Sequence, residues 1–365
     1  MVATPSLFDT YRLGDITLSS RIVMAPLTRN RAADGLVPSS LAVEYYGQRA
    51  SAGLIITEAT QISATAQGYQ DTPGIFTEAQ VEGWKRITDS VHAKGGRIFV
   101  QLWHVGRVSH SSLQPGGAAP LAPSAIRAAT KTYVNNGFAE VDEPRALTLE
   151  EIPGIVEDFR KAAANAIRAG FDGVEIHGAN GYLIDQFLRD GANKRTDAYG
   201  GSIENRTRFL KEVLTAVVGE IGAARTAIRL SPVAPANGLS DSDPQPLFNH
   251  VLDVVESLHP VYVHMIEGAT GGPRDIAPDF DFEALRKRFS GTWMVNNGYD
   301  KALAEEVVAA GKADLVAFGK PFISSPDAVE RLRRGVAFNE LDRDHLYGGG
   351  AKGYVDYPTL ETTDA

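Results

Sequence analysis

The chain has 365 residues, 43% of them hydrophobic and 22% charged, with a formal net charge of −9 and no cysteine. An acidic balance without a basic run argues against nucleic acid and anionic membrane surfaces as partners. The lack of cysteine excludes disulfides, thiolate catalysis, iron–sulfur clusters and cysteine-ligated zinc.

No apolar run approaches the ~18 residues of a membrane span. The segment Met1–Asp9 has no basic region followed by an apolar one, so no signal peptide is expected and the expected location is the cytoplasm. The length suits two average domains or one α/β barrel.

Short apolar or β-branched runs recur along the chain. They are Arg21–Ala25, Leu54–Glu58, Arg97–Trp103, Gly173–Ile176, Thr226–Leu230, Val261–Ile266, Thr292–Val295 and Asp314–Phe318. Continuous apolarity, rather than alternation, is expected of strands buried on both faces. Helices fit between them over Glu78–Lys94, Ile203–Ile221, Pro246–Leu258, Lys301–Ala310 and Pro326–Arg334. Another opens at Thr148, with Glu151 completing a capping box, and ends at Gly170. Strand, loop and helix repeat in the order of βαβ crossovers. About eight strands predict a (β/α)8 TIM barrel, a single domain over residues 1–365.

Two insertions interrupt the repeat. One, over about residues 109–147, is rich in proline and glycine before a β-prone stretch whose Asn136-Gly137 signals a hairpin. It is expected to form a flap over the barrel mouth. The other is the loop Gly268–Pro273 after the sixth strand. Long loops inside a compact domain are usually functional.

Ligands of parallel barrels sit at the carboxyl ends of the strands. The most informative end is Gly173–Tyr182, where a strand is expected to stop at His177. Gly178 and Gly181 then bend the chain around His177, Asn180 and Tyr182. Two donors three residues apart can hold one oxygen, and a tyrosine nearby can supply a proton. The plainer alternative is a strand-end histidine capping carbonyls, with Asn180 as turn chemistry. Other strand ends carry Thr28, Gln101, His104 and Arg229. The seventh and eighth end in Asn297-Gly298 and Gly319-Lys320, where barrels often hold a phosphate. Arg229 on an apolar strand needs an anionic partner, either a carboxylate or a cofactor edge that becomes anionic. His264 reads as a satisfied core residue, and no metal-ligand spacing is present.

Several motifs together resemble the Old Yellow Enzyme family of flavin-dependent ene-reductases. They are Met24–Arg29, Thr57–Ser63, Gln101–Arg107, His177–Tyr182, Asp197–Arg206, Asp314–Phe322 and Gly353–Pro358. Each is weak alone; in this order and spacing they are specific and span nearly the whole chain. The resemblance implies non-covalent FMN in the barrel mouth, reduced by NADPH or NADH, which then leaves. An activated alkene (an unsaturated carbonyl, maleimide or nitroalkene) takes the hydride next.

By position, the resemblance makes Pro26, Leu27, Thr28, Ala59 and Gln101 isoalloxazine contacts. Arg229 stabilises negative charge at the pyrimidine edge, while Asn297, Gly298, Gly319 and Lys320 hold the phosphate. His177 and Asn180 bind the substrate carbonyl, and Tyr182 protonates the α-carbon. Tyr69, Trp103 and Tyr347 line the substrate pocket.

The chain departs from many relatives in having Asn180 where a second histidine is common, and Lys320 where arginine is usual. It also lacks an aromatic in Gly268–Pro273. The competing readings are reductive denitration of nitrate esters, a flavin-binding barrel without alkene turnover, and a non-flavin lyase or hydrolase. The last requires a Schiff-base lysine or a metal cluster at the strand ends. A monomer or homodimer is expected.

Overall fold

The structure is a computed structural model and describes residues 4–360. The start of the segment read for a signal, Met1–Ala3, lies outside the described residues, as do residues 361–365. Eight parallel strands close a barrel: β1 Ile22–Met24, β2 Leu54–Gln61, β3 Ile98–Trp103, β4 Gly173–Gly178, β5 Thr226–Leu230, β6 Tyr262–Ile266, β7 Thr292–Asn296 and β8 Leu315–Phe318. β8 pairs with β1, with Ala317 opposite Val23, so the sheet has no free edge. Each anticipated apolar run is one of these strands. β4, however, does not stop at His177; it runs through Gly178, and His177 pairs in register with Arg229.

Alternate residues of each strand point inward. The lower barrel is filled by Val23, Leu54, Ile56, Phe99, Ala227, Tyr262, Met294 and Leu315. Gly173 is required at this level, because a Cβ there would lie 2.4 Å from the Phe99 ring. An unforeseen hairpin, Tyr11–Leu13 with Ile16–Leu18, closes the amino end of the barrel. Its Leu13 and Leu18 join the same cluster.

The outward residues of the strands pack under the crossover helices. Ile203–Ile221 has the anticipated bounds, and Glu78–His92 carries a full capping box between Thr77 and Gln80. The helix expected from Thr148 starts later, at Ile152. Only half of its capping box forms: Glu151 accepts from the Thr148 backbone N–H at 2.9 Å, while its carboxylate is also held by Arg145. Helices Ser40–Gln48, Leu183–Leu188, Phe282–Lys287 and Lys320–Ser324 were not anticipated.

The inserted hairpin pairs Lys131–Val134 with Gly137–Glu140. Its turn is Asn135-Asn136, both left-handed at φ 50° and 58°, and Gly137 already belongs to the second strand. Asparagine tolerates that conformation better than other side-chain-bearing residues. The hairpin is held beside the mouth, with the Tyr133 carbonyl accepting from Gln70 N at 2.8 Å. No residue of the insertion lines the cavity described below.

Candidate active site

A cavity of about 550 Å³ opens at the carboxyl ends of the strands. This is within the range of small-molecule sites. Every residue to which the resemblance gives a role lines it except Tyr69, and the strand-end His104 does not line it either.

The turn after β4 sets the geometry of one wall. Asn180 sits in the left-handed region at φ 57° and Gly181 at φ 74°. A Cβ on Gly181 would meet the Ala236 carbonyl at 2.6 Å, so the turn is packed against the loop after β5. The buried Asp185 carboxylate accepts from Gly181 N at 2.9 Å and pairs with Arg189 at 2.9 Å. The Asn180 main chain is fixed on both sides: its N–H donates to Ser231 Oγ, and its carbonyl accepts from Asn237 Nδ2, each at 2.8 Å.

His177 is buried, and burial beside Arg229 holds its pKa well below the ordinary histidine value. It is therefore neutral, with one N–H. The Ala179 backbone N–H donates to Nδ1 at 3.3 Å, so the ring proton belongs on Nε2. Trp103, Tyr182 and Tyr69 fix the ring from the side. Trp103 stacks on His177 at 6.1 Å, Tyr182 meets His177 edge-on at 5.0 Å, and Tyr69 stacks on Trp103 at 5.7 Å. Tyr69 stands behind the cavity wall, its hydroxyl 2.9 Å from that of Tyr182. Burial raises the pKa of Tyr182, so its phenol keeps its proton near neutral pH.

Below this wall lies a buried polar network that the sequence reading missed. Glu175, one inward position below His177 on β4, accepts from Gln101 Nε2 at 2.7 Å and from Tyr262 OH at 3.0 Å. Its other contact is His264 Nδ1 at 2.9 Å. Burial pushes Glu175 up, but His264, Arg229 and Gln101 outweigh it and the net shift is downward. Burial holds His264 down. The pair is thus a carboxylate facing a neutral imidazole that donates from Nδ1; His264 is a core residue as read, but only half satisfied, since its Nε2 is buried without a partner. Period-two spacing from His177 was the available signal for Glu175.

Arg229, on the neighbouring strand β5, helps to lower the pKa of Glu175 without touching its carboxylate. Its Nη2 donates to Asn296 Oδ1 at 2.8 Å, and it forms no ion pair among the described residues. Its Nε is buried without a partner. A guanidinium without a carboxylate contact, at the rim of a cavity, is a fitting partner for an anionic ligand edge.

The far end of the cavity carries Gly298 at φ 68°, Gly319, and the exposed Lys320. Glycines there let a ligand approach the backbone closely. The Asn297 side chain is engaged elsewhere. Its Nδ2 donates to the carbonyls of Glu267 at 2.7 Å and Ala269 at 2.9 Å, and its Oδ1 accepts from Gly271 N at 3.0 Å. Asn297 therefore clamps the loop after β6.

On the opposite rim, Arg29 and Arg31 hold the segment that carries Tyr347. Arg29 donates to the Leu346 and Gly353 carbonyls at 2.9 and 2.6 Å, and Arg31 to that of His345 at 2.9 Å. Tyr347 itself is 49% exposed, on the open side of the wall. Among the described residues no group of three or more His, Asp or Glu could hold a metal ion, and no helix is long and apolar enough to cross a membrane.

A closed parallel barrel, two hydrogen-bond donors, a protonated phenol and an arginine with no ion pair among the described residues, all around one cavity, are the frame of a barrel oxidoreductase with an anionic cofactor. Residues 6–339 match the NADH:flavin oxidoreductase / NADH oxidase family. The chain belongs to this family, the Old Yellow Enzyme family of the sequence resemblance, and is an FMN-dependent oxidoreductase.

The chain is 48% identical to 12-oxophytodienoate reductase 1 of Oryza sativa subsp. japonica, over 98% of this chain and 94% of that one. It is 46% identical to 12-oxophytodienoate reductase 2 of Arabidopsis thaliana, over 98% and 96%. Among solved structures, morphinone reductase superposes with a TM-score of 0.95 at 48% identity, over 100% of this chain and 98% of that one. An old yellow enzyme homologue from Zymomonas mobilis gives 0.92 at 44%, over 98% and 100%.

The cavity fits FMN on this chain's own features. It has the orphaned Arg229 Nε for an anionic ring edge, and an exposed lysine between glycine-lined backbone for a phosphate.

Proposed function

We propose that this enzyme is an ene-reductase acting on alkenes conjugated to a carbonyl or a comparable electron-withdrawing group. The observation that carries the reading is the convergence of His177 Nε2–H, the Asn180 amide and the Tyr182 hydroxyl on one cavity that also receives Arg229. When bound, FMN supplies the two-electron chemistry, taking hydride from NADH or NADPH and returning it to the alkene β-carbon.

The protein's residues do the rest. His177 and Asn180 donate to the substrate oxygen and draw electron density from the β-carbon. They then stabilise the enolate oxygen as charge develops on it. Each such donor is worth about 10²–10³ in rate. A neutral histidine suits this role, because it donates without giving up its proton. Tyr182 then delivers a proton to the α-carbon, and its raised pKa keeps that proton in place until the enolate forms.

Pro26, Leu27, Thr28, Ala59 and Gln101 form the floor that holds the flavin ring. Glu175 orients Gln101 by accepting from its Nε2, which leaves the amide oxygen to face the cavity as an acceptor. Gly298, Gly319 and Lys320 hold the phosphate, Asn297 through its backbone only. Trp103 and Tyr347 bound the substrate, and Tyr69 backs Tyr182.

The names of the relatives support a carbonyl-bearing substrate, since one set reduces an oxo-dienoate and another reduces morphinone. The test is to follow the two half-reactions separately: bleaching of the bound flavin by NADH or NADPH, then its reoxidation by cyclohexenone.

A further inference from the structure

Resting on the reading of Asn180 as a substrate-oxygen donor, we propose that Thr270 is a positioning residue that sets the polarity of the Asn180 amide. The two ends of an asparagine amide are alike in shape and opposite in hydrogen-bonding character. If Nδ2 faces the cavity, Asn180 stabilises a substrate oxygen. If Oδ1 faces it, two acceptors oppose each other and the site loses one donor. His177 has no such ambiguity, because Ala179 N fixes its tautomer.

For Asn180 the main chain is locked by Ser231 and Asn237, so the remaining freedom lies in the side chain. Thr270 closes it: Thr270 Oγ1 donates to Asn180 Oδ1 at 2.6 Å. Once Oδ1 is occupied in this way, Nδ2 is the end left to donate. An acceptor-only substrate oxygen reinforces the arrangement. The hydroxyl rotates freely, and only its donor orientation leaves every group of the Thr270–Asn180–oxygen chain paired.

Thr270 can act at this distance from the barrel only because its loop is held. Thr270 lies in Gly268–Pro273, where Gly268 and Gly271 are left-handed at φ 77° and 71°. Without support such a stretch is mobile. The Asn297 clamp on Glu267, Ala269 and Gly271 supplies that support. A line of contacts thus runs from the end of β7, through the loop after β6, to the donor on the turn after β4.

The test is a double-mutant cycle on FMN-loaded protein, read as the dissociation constant of 4-chlorophenol from its charge-transfer absorbance. Thr270→Val keeps the shape and removes the hydroxyl; Thr270→Ser keeps the hydroxyl. Thr270→Val is expected to weaken phenol binding roughly fivefold, the size of one hydrogen bond. Thr270→Ser is expected to stay within about twofold of the parent protein on the same scale. In an Asn180→Ala background, Thr270→Val is expected to have no further effect, since coupled residues do not add.

Equal weakening by Thr270→Val in both backgrounds would show that it acts on the pocket directly, and would overturn the proposal. So would weakening by Asn180→Ala with none from Thr270→Val. If Asn180→Ala itself leaves phenol binding unchanged, the donor role of Asn180 falls, and the role of Thr270 falls with it.

Discussion

The hydroxyls of Tyr182 and Tyr69 lie 2.9 Å apart, and the two rings meet edge-on at 6.5 Å. Tyr182 faces the cavity and Tyr69 does not, so only Tyr182 can reach a substrate carbon. Tyr182→Phe should therefore spare flavin reduction by NADH or NADPH and slow enone reduction by about 10²-fold or more, the usual worth of a placed acid. Tyr69→Phe should slow the same half-reaction less. Stopped-flow absorbance separates the two steps, and equal slowing of both by Tyr182→Phe would remove its role as the proton donor.

His177 is neutral and donates from Nε2 in this account. His177→Ala should weaken 4-chlorophenol binding by at least ~10-fold, since hydrogen bonds to a charged oxygen are the stronger kind. The parent protein should show no inflection near pH 6.5 in phenol affinity, because His177 titrates well below that value. A step there in an affinity titration from pH 5 to 8 would mean that the ring is cationic when it binds.

Glu175 sets a negative charge beneath the ring-binding floor, and Arg229 a positive one beside it. Removing the first should make the bound flavin easier to reduce, and removing the second should make it harder. Glu175→Gln is expected to raise the two-electron potential by on the order of 30 mV, equivalent to ~1.4 kcal/mol. Arg229→Met should lower it. Potentials from dye equilibration that shift the other way would contradict the charge assignment.

Acid stability follows from the buried histidines. Burial holds His104 down to about 3 and lowers His177 and His264 as well. Below pH 6.5 the unfolded chain takes up protons at these sites and the folded chain does not, so stability falls as pH falls. Glu58 works in the opposite sense. Burial raises it to about 7, so its neutral form favours the folded state as pH drops through that value. Burial also raises Asp185 and Asp158, which act in the same sense as Glu58, so the three histidines leave a net slope of roughly 3 kcal/mol per pH unit at most. Thermal unfolding at fixed FMN should show a midpoint several degrees lower at pH 5.5 than at pH 7.5. A flat or rising midpoint would mean that the histidines are charged in the folded protein.

Much of the architecture is legible because burial on both faces leaves the barrel strands as plain apolar runs. Gly298, Gly319 and the turn of His177, Asn180 and Tyr182 are legible as cavity-lining residues because they stand where barrel strands end. What escapes reading has a physical cause. Leu183–Leu188 is buried throughout, so it has no polar face to give it a helical period. Phe282–Lys287 is six residues long, too short for a period to emerge. Gly178 looks like a terminator that would end the strand at His177, yet the ladder to β5 continues to Gly178–Leu230. Glu175 and Thr270 gain their meaning from neighbours 89 and 90 positions away, His264 and Asn180 respectively. Only closure of the barrel brings these partners together.

The central claim is that one cavity carries out both half-reactions. The most direct measurement is anaerobic reduction of the FMN-loaded protein by NADH and by NADPH, followed by mixing with cyclohexenone. The account predicts bleaching of the flavin absorbance by at least one donor, then recovery of the oxidised spectrum on adding the enone, with cyclohexanone as the product. A protein that bleaches but is not reoxidised by cyclohexenone or by other activated alkenes would contradict the assignment of His177, Asn180 and Tyr182.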